Sequence, residues 1–310
     1  MVDRNIELGV MIPTFGGTAT GSRLEKLSTV AEKLDYDFLW TGDHVTFPES
    51  LPNTYPFTPD NEPPPQINIQ QDVLEFFQSL AYVAATTDDI KLGSNVCIAP
   101  YRHPVYLAKQ ALTIDALSDG RFEFGVGVGW LRTEFEVLDV PFEERGSRTD
   151  EFLRLFAEVQ REGQIEFDGP HHSFQKTGFH PRPKDAIPIW IGGFSGAAFR
   201  RLAEFGDGWS VYWLTPQEVD DARERIMDAW QDYDREGNPE IAVVRPIHVG
   251  TDTSMDTDEL LMGEPESIRN DVSRYSKAGV SRIVINLFGA DLKKQEEQLH
   301  RFANEIVDRR

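Results

Sequence analysis

The chain is poor in cysteine and in long apolar runs, and each shortage excludes a class of protein. Cys97 is the only cysteine among 310 residues, so the chain can form neither an internal disulfide nor a thiolate metal cluster. No apolar run is long enough to cross a bilayer, and the first residues lack the apolar stretch of a signal peptide. We therefore expect a cytoplasmic protein that is not inserted in a membrane.

Positive charge is also scarce. The formal net charge is −21, and the basic residues comprise 22 arginines but only nine lysines. Such a charge repels nucleic acids and anionic membrane surfaces, so we expect neither as a partner. An acidic, lysine-poor composition is typical of a halophilic protein, because high salt shortens the Debye length and screens self-repulsion. The alternative is an ordinary acidic cytosolic protein.

Eight β-rich apolar runs alternate with helix-patterned segments along the chain. Strands are predicted at Glu7–Pro13, Phe38–Thr41, Lys91–Ile98, Arg121–Val128, Ile187–Ile191, Trp209–Trp213, Ile241–Val249 and Arg282–Phe288. The run Ile283–Leu287 is apolar almost throughout, as parallel strands buried on both faces are. Eight strand–helix repeats predict one α/β domain over residues 1–310, a (β/α)8 TIM barrel.

Two segments interrupt this rhythm and are predicted to be insertions. Residues 47–70 follow the second strand and are rich in proline, so they can form neither a regular helix nor a ladder strand. They are either a lid or substrate wall at the barrel mouth, or a passive surface loop. Residues 164–175 are predicted to form a short β-hairpin that turns at residues 168–170.

Two junctions between a strand and a helix are rich in glycine. One is Phe122–Trp130, with glycine at 125, 127 and 129, and the other covers residues 187–197. Glycine lets backbone N–H groups approach an anion, and a helix N-terminus favours negative charge, so the pattern predicts a phosphate-bearing ligand. The spacing after the fourth strand is not the dinucleotide fingerprint of a first βα turn. The alternative is that these glycines only allow tight packing at the barrel rim.

The second strand ends in Trp40-Thr41-Gly42-Asp43-His44. Catalytic groups of TIM barrels lie at the carboxyl ends of strands. His44 can transfer a proton near neutral pH, and Asp43 can orient the imidazole or the loop backbone. The alternatives are that Asp43 caps the following loop and that His44 is a structural histidine.

The third predicted strand is interrupted by Gly93-Ser94-Asn95. This predicts a bulge, or backbone held close to a ligand, with a simple irregularity as the alternative. His171, His172 and His180 lie in a loop without a carboxylate at metal-ligand spacing, and we expect them to be solvated. No pattern of His, Cys, Asp and Glu in the sequence predicts a metal site.

At these residues the chain resembles the luciferase-like (β/α)8 flavin and deazaflavin oxidoreductases, and more narrowly their coenzyme F420-dependent branch. The matching motifs are Trp-Thr-Gly-Asp-His (40–44), Leu-Gly-Ser-Asn-Val (92–96) with Pro-Tyr-Arg-His-Pro (100–104), Leu-Ser-Asp-Gly-Arg-Phe (117–122), Gly-Val-Gly-Val-Gly-Trp-Leu-Arg-Thr-Glu-Phe (125–135), Glu-Arg-Gly-Ser-Arg-Thr-Asp-Glu (144–151), Pro-Ile-Trp-Ile-Gly-Gly (188–193) and Gly-Asp-Gly-Trp (206–209). These motifs identify the superfamily and do not identify a substrate.

The resemblance implies a cofactor site at the barrel mouth. It implies a non-proline cis peptide bond at Asn95-Val96, pressed against the flavin ring. The implied cofactor contacts are Thr14 at the ring face, Asn95 and Val96 at the bulge, Gly127, Gly129 and Trp130 at the chain and phosphate, and Gly192, Gly193, Phe194 and Ser195 at a second phosphate loop.

The resemblance also implies a reaction. His44 matches a histidine at the hydride-transfer centre of several deazaflavin enzymes, and Asp43 is its neighbour. The expected function is transfer of a hydride between F420 and a small organic substrate. In the sugar-phosphate dehydrogenases of the family a glutamate stands at the position of Trp130, so oxidation of glucose 6-phosphate is not expected. The alternatives are an FMN-dependent monooxygenase that uses O₂ and a reductase partner, and a non-catalytic flavin-binding barrel. Homodimers are common in the family, and the sequence leaves that option open.

Overall fold

Eight parallel strand positions close into a barrel in the computed structural model, which describes residues 6–16, 19–49, 51, 68–251, 260–287 and 291–307. The strands are β1 (Glu7–Met11), β2 (Phe38–Thr41), β3 (Lys91–Ser94), β4 (Cys97–Ile98), β5 (Phe122–Gly127), β6 (Gln164–Asp168), β7 (Ser173–Gly178), β8 (Ile189–Gly192), β9 (Gly208–Tyr212), β10 (Glu240–Pro246), β11 (His248–Val249), β12 (Met262–Gly263) and β13 (Arg282–Asn286). In the barrel, β3 and β4 share the third position, and β13 pairs with β1 in parallel to close the sheet. The predicted (β/α)8 barrel is therefore confirmed.

Helices surround the sheet between successive strands. They are α1 (Gly21–Lys33), α2 (Phe76–Thr86), α3 (Pro104–Leu117), α4 (Arg132–Val137), α5 (Arg145–Glu162), α6 (Gly196–Phe205), α7 (Pro216–Asp232), α8 (Pro265–Lys277) and α9 (Leu292–Arg301). The sequence fixes several of their starts. Thr215 and Glu218 form a reciprocal capping box with Pro216 in the first turn, and Asp291 caps α9 through Lys293 N–H. Among the described helices, none is both long and apolar enough to cross a membrane.

Side chains fill the barrel interior. Phe38, Trp40 and Trp190 form one buried cluster with alanine and valines from β10 and β13. At the amino-terminal end of the strands, the buried Arg282 guanidinium lies over the Trp190 ring and donates to Glu123 at 2.5 Å. These side chains close the interior at the amino-terminal end of the strands, so we expect a ligand to enter from the carboxyl ends.

Two predicted segments differ from the structure. The seventh strand was predicted over Ile241–Val249, but β10 ends at Pro246, and β11 instead pairs with β12 in a separate small sheet. Most of the proline-rich segment 47–70 lies outside the described residues. Of that segment, Phe47 is buried and packs with Leu131.

The predicted hairpin is confirmed as β6 and β7, which pair in antiparallel fashion and extend to Gly178. The expectation that His171 and His172 are solvated is wrong. His172 Nδ1 lies 2.6 Å from Glu151 Oε1, and His171 Nε2 lies 2.9 Å from the Ser147 hydroxyl. Glu151 is 20 residues away from this turn in sequence, so spacing could not reveal it. These contacts hold the tip of the hairpin against α5.

Candidate active site

The predicted catalytic histidine lies at the carboxyl end of β2, inside a group of aromatic rings. The Phe15 ring meets the His44 ring edge-on at 5.2 Å between centroids, and the Phe47 ring is tilted against it at 4.7 Å. Trp130, which follows β5, stands edge-on at 6.3 Å. Three separate strand-to-helix loops therefore surround one imidazole, whose side chain remains 14% exposed.

Glu134, on the short helix α4, orients this imidazole. Its Oε2 lies 2.8 Å from His44 Nδ1 and accepts from the Tyr101 hydroxyl at 2.8 Å. Its Oε1 accepts from the backbone N–H groups of Val45 and Thr46 at 2.6 and 3.2 Å. Burial and the neighbouring carboxylate raise the pKa of Tyr101, which keeps its hydroxyl as a donor. Since every partner of this carboxylate donates, Nδ1 carries the proton and Nε2 is left as the acceptor.

Asp43 does not orient the imidazole. Its carboxylate binds the Arg102 guanidinium with both oxygens, at 2.6 and 3.0 Å, and accepts from the backbone N–H of Ile98 at 2.9 Å. Asp43 is 3% exposed, so it is a buried structural carboxylate that ties the loop after β2 to the end of β4. Asp43 does bind a backbone N–H, but that of Ile98 in the third strand position and not one in its own loop.

The third strand position is interrupted between β3 and β4, and the peptide bond Asn95-Val96 is cis, as the resemblance implies. The glycines of β5 make room for this bulge. A Cβ on Gly125 would lie 1.8 Å from the Ser94 carbonyl oxygen, and one on Gly127 would lie 2.3 Å from Val96 Cγ2. Gly125 and Gly127 are therefore needed for tight packing against the bulge, as the alternative interpretation of the glycines predicts. Contact of Gly127 with a ligand stays a prediction.

Gly129 and Gly192 pack closely in the same way. Gly129 has φ +80°, and a Cβ there would lie 2.8 Å from Ile98 and 2.9 Å from Phe135. A Cβ on Gly192 would lie 3.0 Å from Val96 Cγ1. Val96 therefore packs against glycine positions of both β5 and β8.

Asn95 projects its polar groups across the barrel. Its Oδ1 accepts from the Ser210 hydroxyl of β9 at 2.7 Å, and its backbone carbonyl accepts from the Tyr212 hydroxyl at 3.4 Å. Asn95 is 5% exposed, and its Nδ2 has no partner among the described residues. A buried amide donor without a partner is costly, so it indicates a group that a ligand can satisfy.

The second predicted phosphate loop presents accessible backbone. Gly193, Phe194 and Ser195 are exposed at the start of the ten-residue helix α6, which Ser195 caps through Ala198 N–H at 3.2 Å. Gly193 has φ +106°, and its carbonyl accepts from the Trp209 indole at 2.8 Å. A helix N-terminus is a general location for anion binding, and contact of this turn with a phosphate stays a prediction.

Thr14 lies beside the site but is almost fully buried. Its hydroxyl donates to the Gly42 carbonyl at 3.0 Å and accepts from the Thr41 hydroxyl at 2.8 Å. Its side chain is thereby committed to joining the end of β1 to the loop that carries His44. Contact of Thr14 with a cofactor ring stays a prediction.

The segments between barrel strands and their following helices have very little positive charge in the sequence; of the strand residues near the mouth, Arg245 of β10 donates to the Trp213 carbonyl. The eight segments that connect a barrel strand to its following helix contain, by sequence, one arginine, Arg102, and no lysine. They contain twelve carboxylate side chains: six in residues 42–75, five in residues 247–264, and Asp291. Arg102 is already paired with Asp43 and also with Glu75, at 3.0 Å. Among the described residues, no group of three or more His, Cys, Asp and Glu could hold a metal ion.

Several site residues were not assigned a role from the sequence. Glu134, Tyr101 and Arg102 lie within the matching motifs, but their partners are 33 to 90 positions away. Ser210 and Tyr212 carry no motif at all. The sequence shows Glu134 only as a carboxylate close to a glycine-rich strand end. Its distance of 90 positions from His44 gives no indication that the two residues pair.

Comparison with known proteins agrees with this geometry. The family model for luciferase-like monooxygenases matches residues 6–261. The chain belongs to this family. A relative, an uncharacterized protein of Mycobacterium tuberculosis, is 30% identical over 218 residues, which cover 70% of this chain and 75% of the relative.

Solved structures show the same luciferase-like fold with different cofactors. An F420-dependent secondary alcohol dehydrogenase in complex with an F420–acetone adduct superposes with a TM-score of 0.79 at 13% identity, over 98% of this chain and 99% of the other. The oxygenating constituent of 3,6-diketocamphane monooxygenase from Pseudomonas putida, in complex with FMN, superposes with a TM-score of 0.73 at 14% identity, over 97% and 98%. At these identities the likeness shows the fold alone.

Proposed function

We propose that the protein is an oxidoreductase that transfers a hydride between the deazaflavin F420 and a small organic substrate. The observation that carries this proposal is the Glu134–His44 pair, which leaves one imidazole nitrogen as an acceptor at the carboxyl end of β2. Luciferase-like proteins are oxidoreductases or monooxygenases that use F420 or a flavin. Those neighbours support the class of reaction, and the pair supports the role of His44.

The residues at the mouth fit a tricyclic redox cofactor. Asn95 Nδ2 is a buried donor without a partner among the described residues, at the bulge where the ring is expected. Gly193, Phe194 and Ser195 would hold its phosphate through backbone N–H groups, and Gly129 and Trp130 would flank its chain. When bound, the deazaflavin supplies or accepts the hydride.

His44 moves the proton that accompanies the hydride. In alcohol oxidation, its Nε2 accepts the hydroxyl proton while the carbon loses a hydride, which leaves a carbonyl. In the reverse direction the protonated imidazole returns that proton to the developing alkoxide. Glu134 keeps the proton on Nδ1 in both directions, so only Nε2 exchanges with substrate. The rings of Phe15, Phe47 and Trp130 surround the imidazole and leave its side chain 14% exposed, which limits its contact with water.

The scarcity of cations at the mouth favours F420 over FMN. The phosphate of FMN is a monoester that approaches two negative charges at neutral pH, whereas that of F420 is a diester with one. At the phosphate itself, leaving aside the carboxylate-bearing tail of F420, a loop of backbone N–H groups and hydroxyls without lysine or arginine matches one negative charge better than two. The FMN-dependent monooxygenase remains the competing function, because an FMN enzyme shares the fold.

The test combines cofactor binding with one substitution. Titration of the protein with F420 and with FMN, followed by fluorescence, should show tighter binding of F420. In a screen of alcohols and carbonyl compounds followed at 420 nm, His44→Gln should lower kcat by about 10²- to 10⁴-fold, while His300→Gln, on the exposed face of α9, should not. Submicromolar FMN binding without F420 binding would overturn the proposal, and so would full turnover by His44→Gln.

A further inference from the structure

The charge of the strand-to-helix segments restricts the substrate as well as the cofactor. Between Lys33 and Lys91 the sequence has no lysine or arginine, and this stretch includes β2, His44 and the whole proline-rich segment. Whatever conformation that segment takes, it cannot bring a cationic lysine or arginine to His44. The loops after β5, β8, β9 and β10 contribute none either.

Arg102, the one arginine of these segments, is not available to a ligand. Both Asp43 oxygens and Glu75 Oε1 bind its guanidinium. The guanidinium also lies over the Phe77 ring, 5.6 Å from its centroid, and the side chain is 12% exposed. To bind an anionic substrate, it would have to leave the buried Asp43 carboxylate without its charged partner, which is strongly destabilising for a buried ion pair.

The immediate surroundings of His44 are apolar or negative. Phe47 and Leu131 are buried and pack with Phe15, Val73 and Trp130. The carboxylates of Asp43 and Glu134 lie behind this layer, and both are buried. An anion that reached His44 would lose its hydration among aromatic rings, and the connecting segments hold no lysine and no arginine besides the paired Arg102 to replace it. The negative charge of a bound cofactor phosphate would increase this penalty.

We propose that the substrate is an uncharged alcohol or carbonyl compound with an apolar or aromatic substituent, and that the site rejects carboxylate, phosphate and sulfate groups. This inference rests on the proposed function only in placing the reacting oxygen at His44 Nε2. The selectivity itself follows from the lack of lysine and of any arginine besides the paired Arg102 in the connecting segments, and from the aromatic layer around His44. A substrate of this class would satisfy Nε2 with a single hydrogen bond and bury its remaining surface against Phe15, Phe47 and Trp130.

The experiment compares aldehydes that differ in charge and by one methyl group. Three matched pairs are used, each a methyl ester and its free acid, on aromatic, linear and branched frames; methyl 4-formylbenzoate and 4-formylbenzoate form the aromatic pair. Equilibrium binding to the full chain is measured by calorimetry at one ionic strength, with and without F420. At least one ester should bind, and its acid should bind at least tenfold more weakly. Equal or tighter binding of the acids, or binding of no ester, would overturn the inference.

A lysine introduced next to His44 tests whether the preference for the esters is electrostatic. Val45 follows His44, is 43% exposed and holds Glu134 through its backbone N–H alone, so its side chain can be replaced. Val45→Lys should narrow the ratio of ester to acid affinity severalfold, while Val45→Gln should leave that ratio near the wild-type value. An unchanged ratio in Val45→Lys would contradict an electrostatic origin. Because these ratios are read from binding without turnover, they can hold even where the role of His44 in hydride transfer fails.

Discussion

Glu134 Oε2 and His44 Nδ1 lie 2.8 Å apart, although 90 positions separate the two residues in the sequence. The carboxylate is fully buried, and it also accepts from Tyr101 and from the two backbone N–H groups that follow His44. One side chain therefore fixes both the position of the histidine and the ring nitrogen that is left as an acceptor. This arrangement resembles the base and orienting carboxylate of hydrolytic triads, with Nε2 as the exchanging nitrogen.

Glu134→Gln should separate the orienting role from a merely structural one. The amide keeps the size of the side chain but weakens its bond to Nδ1–H and places an NH₂ group among donors. We expect kcat to decrease by about 10- to 100-fold, with a smaller change in KM, because substrate binding against the aromatic rings is retained. Glu136→Gln, on the exposed side of the same helix, is the matched control and should retain wild-type kcat. Equal kcat in both variants would remove Glu134 from the mechanism.

Gly127→Ala should show that the glycine pattern of β5 serves the bulge. The new Cβ would lie 2.3 Å from Val96 Cγ2, so one of the two must move, and we expect a loss of about 1–3 kcal/mol in the free energy of unfolding. The double variant Gly127→Ala/Val96→Ala should recover part of that loss, because the clashing methyl group is then absent. Urea denaturation measures the free energy of unfolding of the single and the double variant.

Gly196→Ala supplies the control for this pair. A Cβ on Gly196 meets nothing within 4 Å, and alanine is the better helix former, so this variant should be neutral or stabilised by up to about 1 kcal/mol. If Gly127→Ala also left the free energy of unfolding unchanged, that result would contradict the close packing of Val96 against β5.

Asp115 gives the stability of the protein a defined pH dependence. Burial in α3, together with Asp119 and Asp185, raises the pKa of this carboxyl from 3.8 to about 6. Between about pH 4 and pH 6 the unfolded chain releases this proton while the folded chain retains it, so its contribution destabilises the fold increasingly as pH rises through that window. Asp115→Asn should therefore be more stable than wild type by about 2 kcal/mol at pH 7 and equal to it near pH 4. Thermal unfolding at both pH values, with the exposed Asp228→Asn as control, checks this; a gain that is independent of pH would contradict it.

The net charge of −21 predicts stabilisation by salt. If the composition is a halophilic adaptation, the unfolding midpoint should rise with KCl, most steeply below about 1 M, where the Debye length shortens from about 10 Å to about 3 Å. Uncharged sucrose at matched concentration separates screening from general exclusion effects. Equal midpoints at low and multimolar KCl would support an ordinary acidic protein instead.

The barrel could be predicted from the sequence because its signals are local. Strands such as Arg282–Asn286 are apolar runs, and caps such as Thr215 are read from adjacent residues. The end of β10 was missed, since the apolar pattern continues through Val249 after the chain has left the barrel at Pro246. The pattern of apolar residues shows that a residue is buried, but it does not show against which sheet that residue packs.

The candidate site was predictable only in part, because its contacts are distant in sequence. His44 and the bulge at Asn95 lie in motifs at strand ends, which locate them at the mouth. Asp43 was paired with the wrong partner, since adjacency in sequence suggested His44 while the fold brings Arg102 to it from 59 positions away. Pairs of this kind are set by the closure of the barrel and leave no local pattern.

The absorption spectrum of the protein purified from a deazaflavin-producing host tests the central claim most directly. The account predicts a co-purified chromophore that absorbs near 420 nm and is bleached when a neutral alcohol reduces it, with the bleaching lost in His44→Gln. A flavin spectrum in place of that band, which reacts with O₂ after reduction, would contradict it.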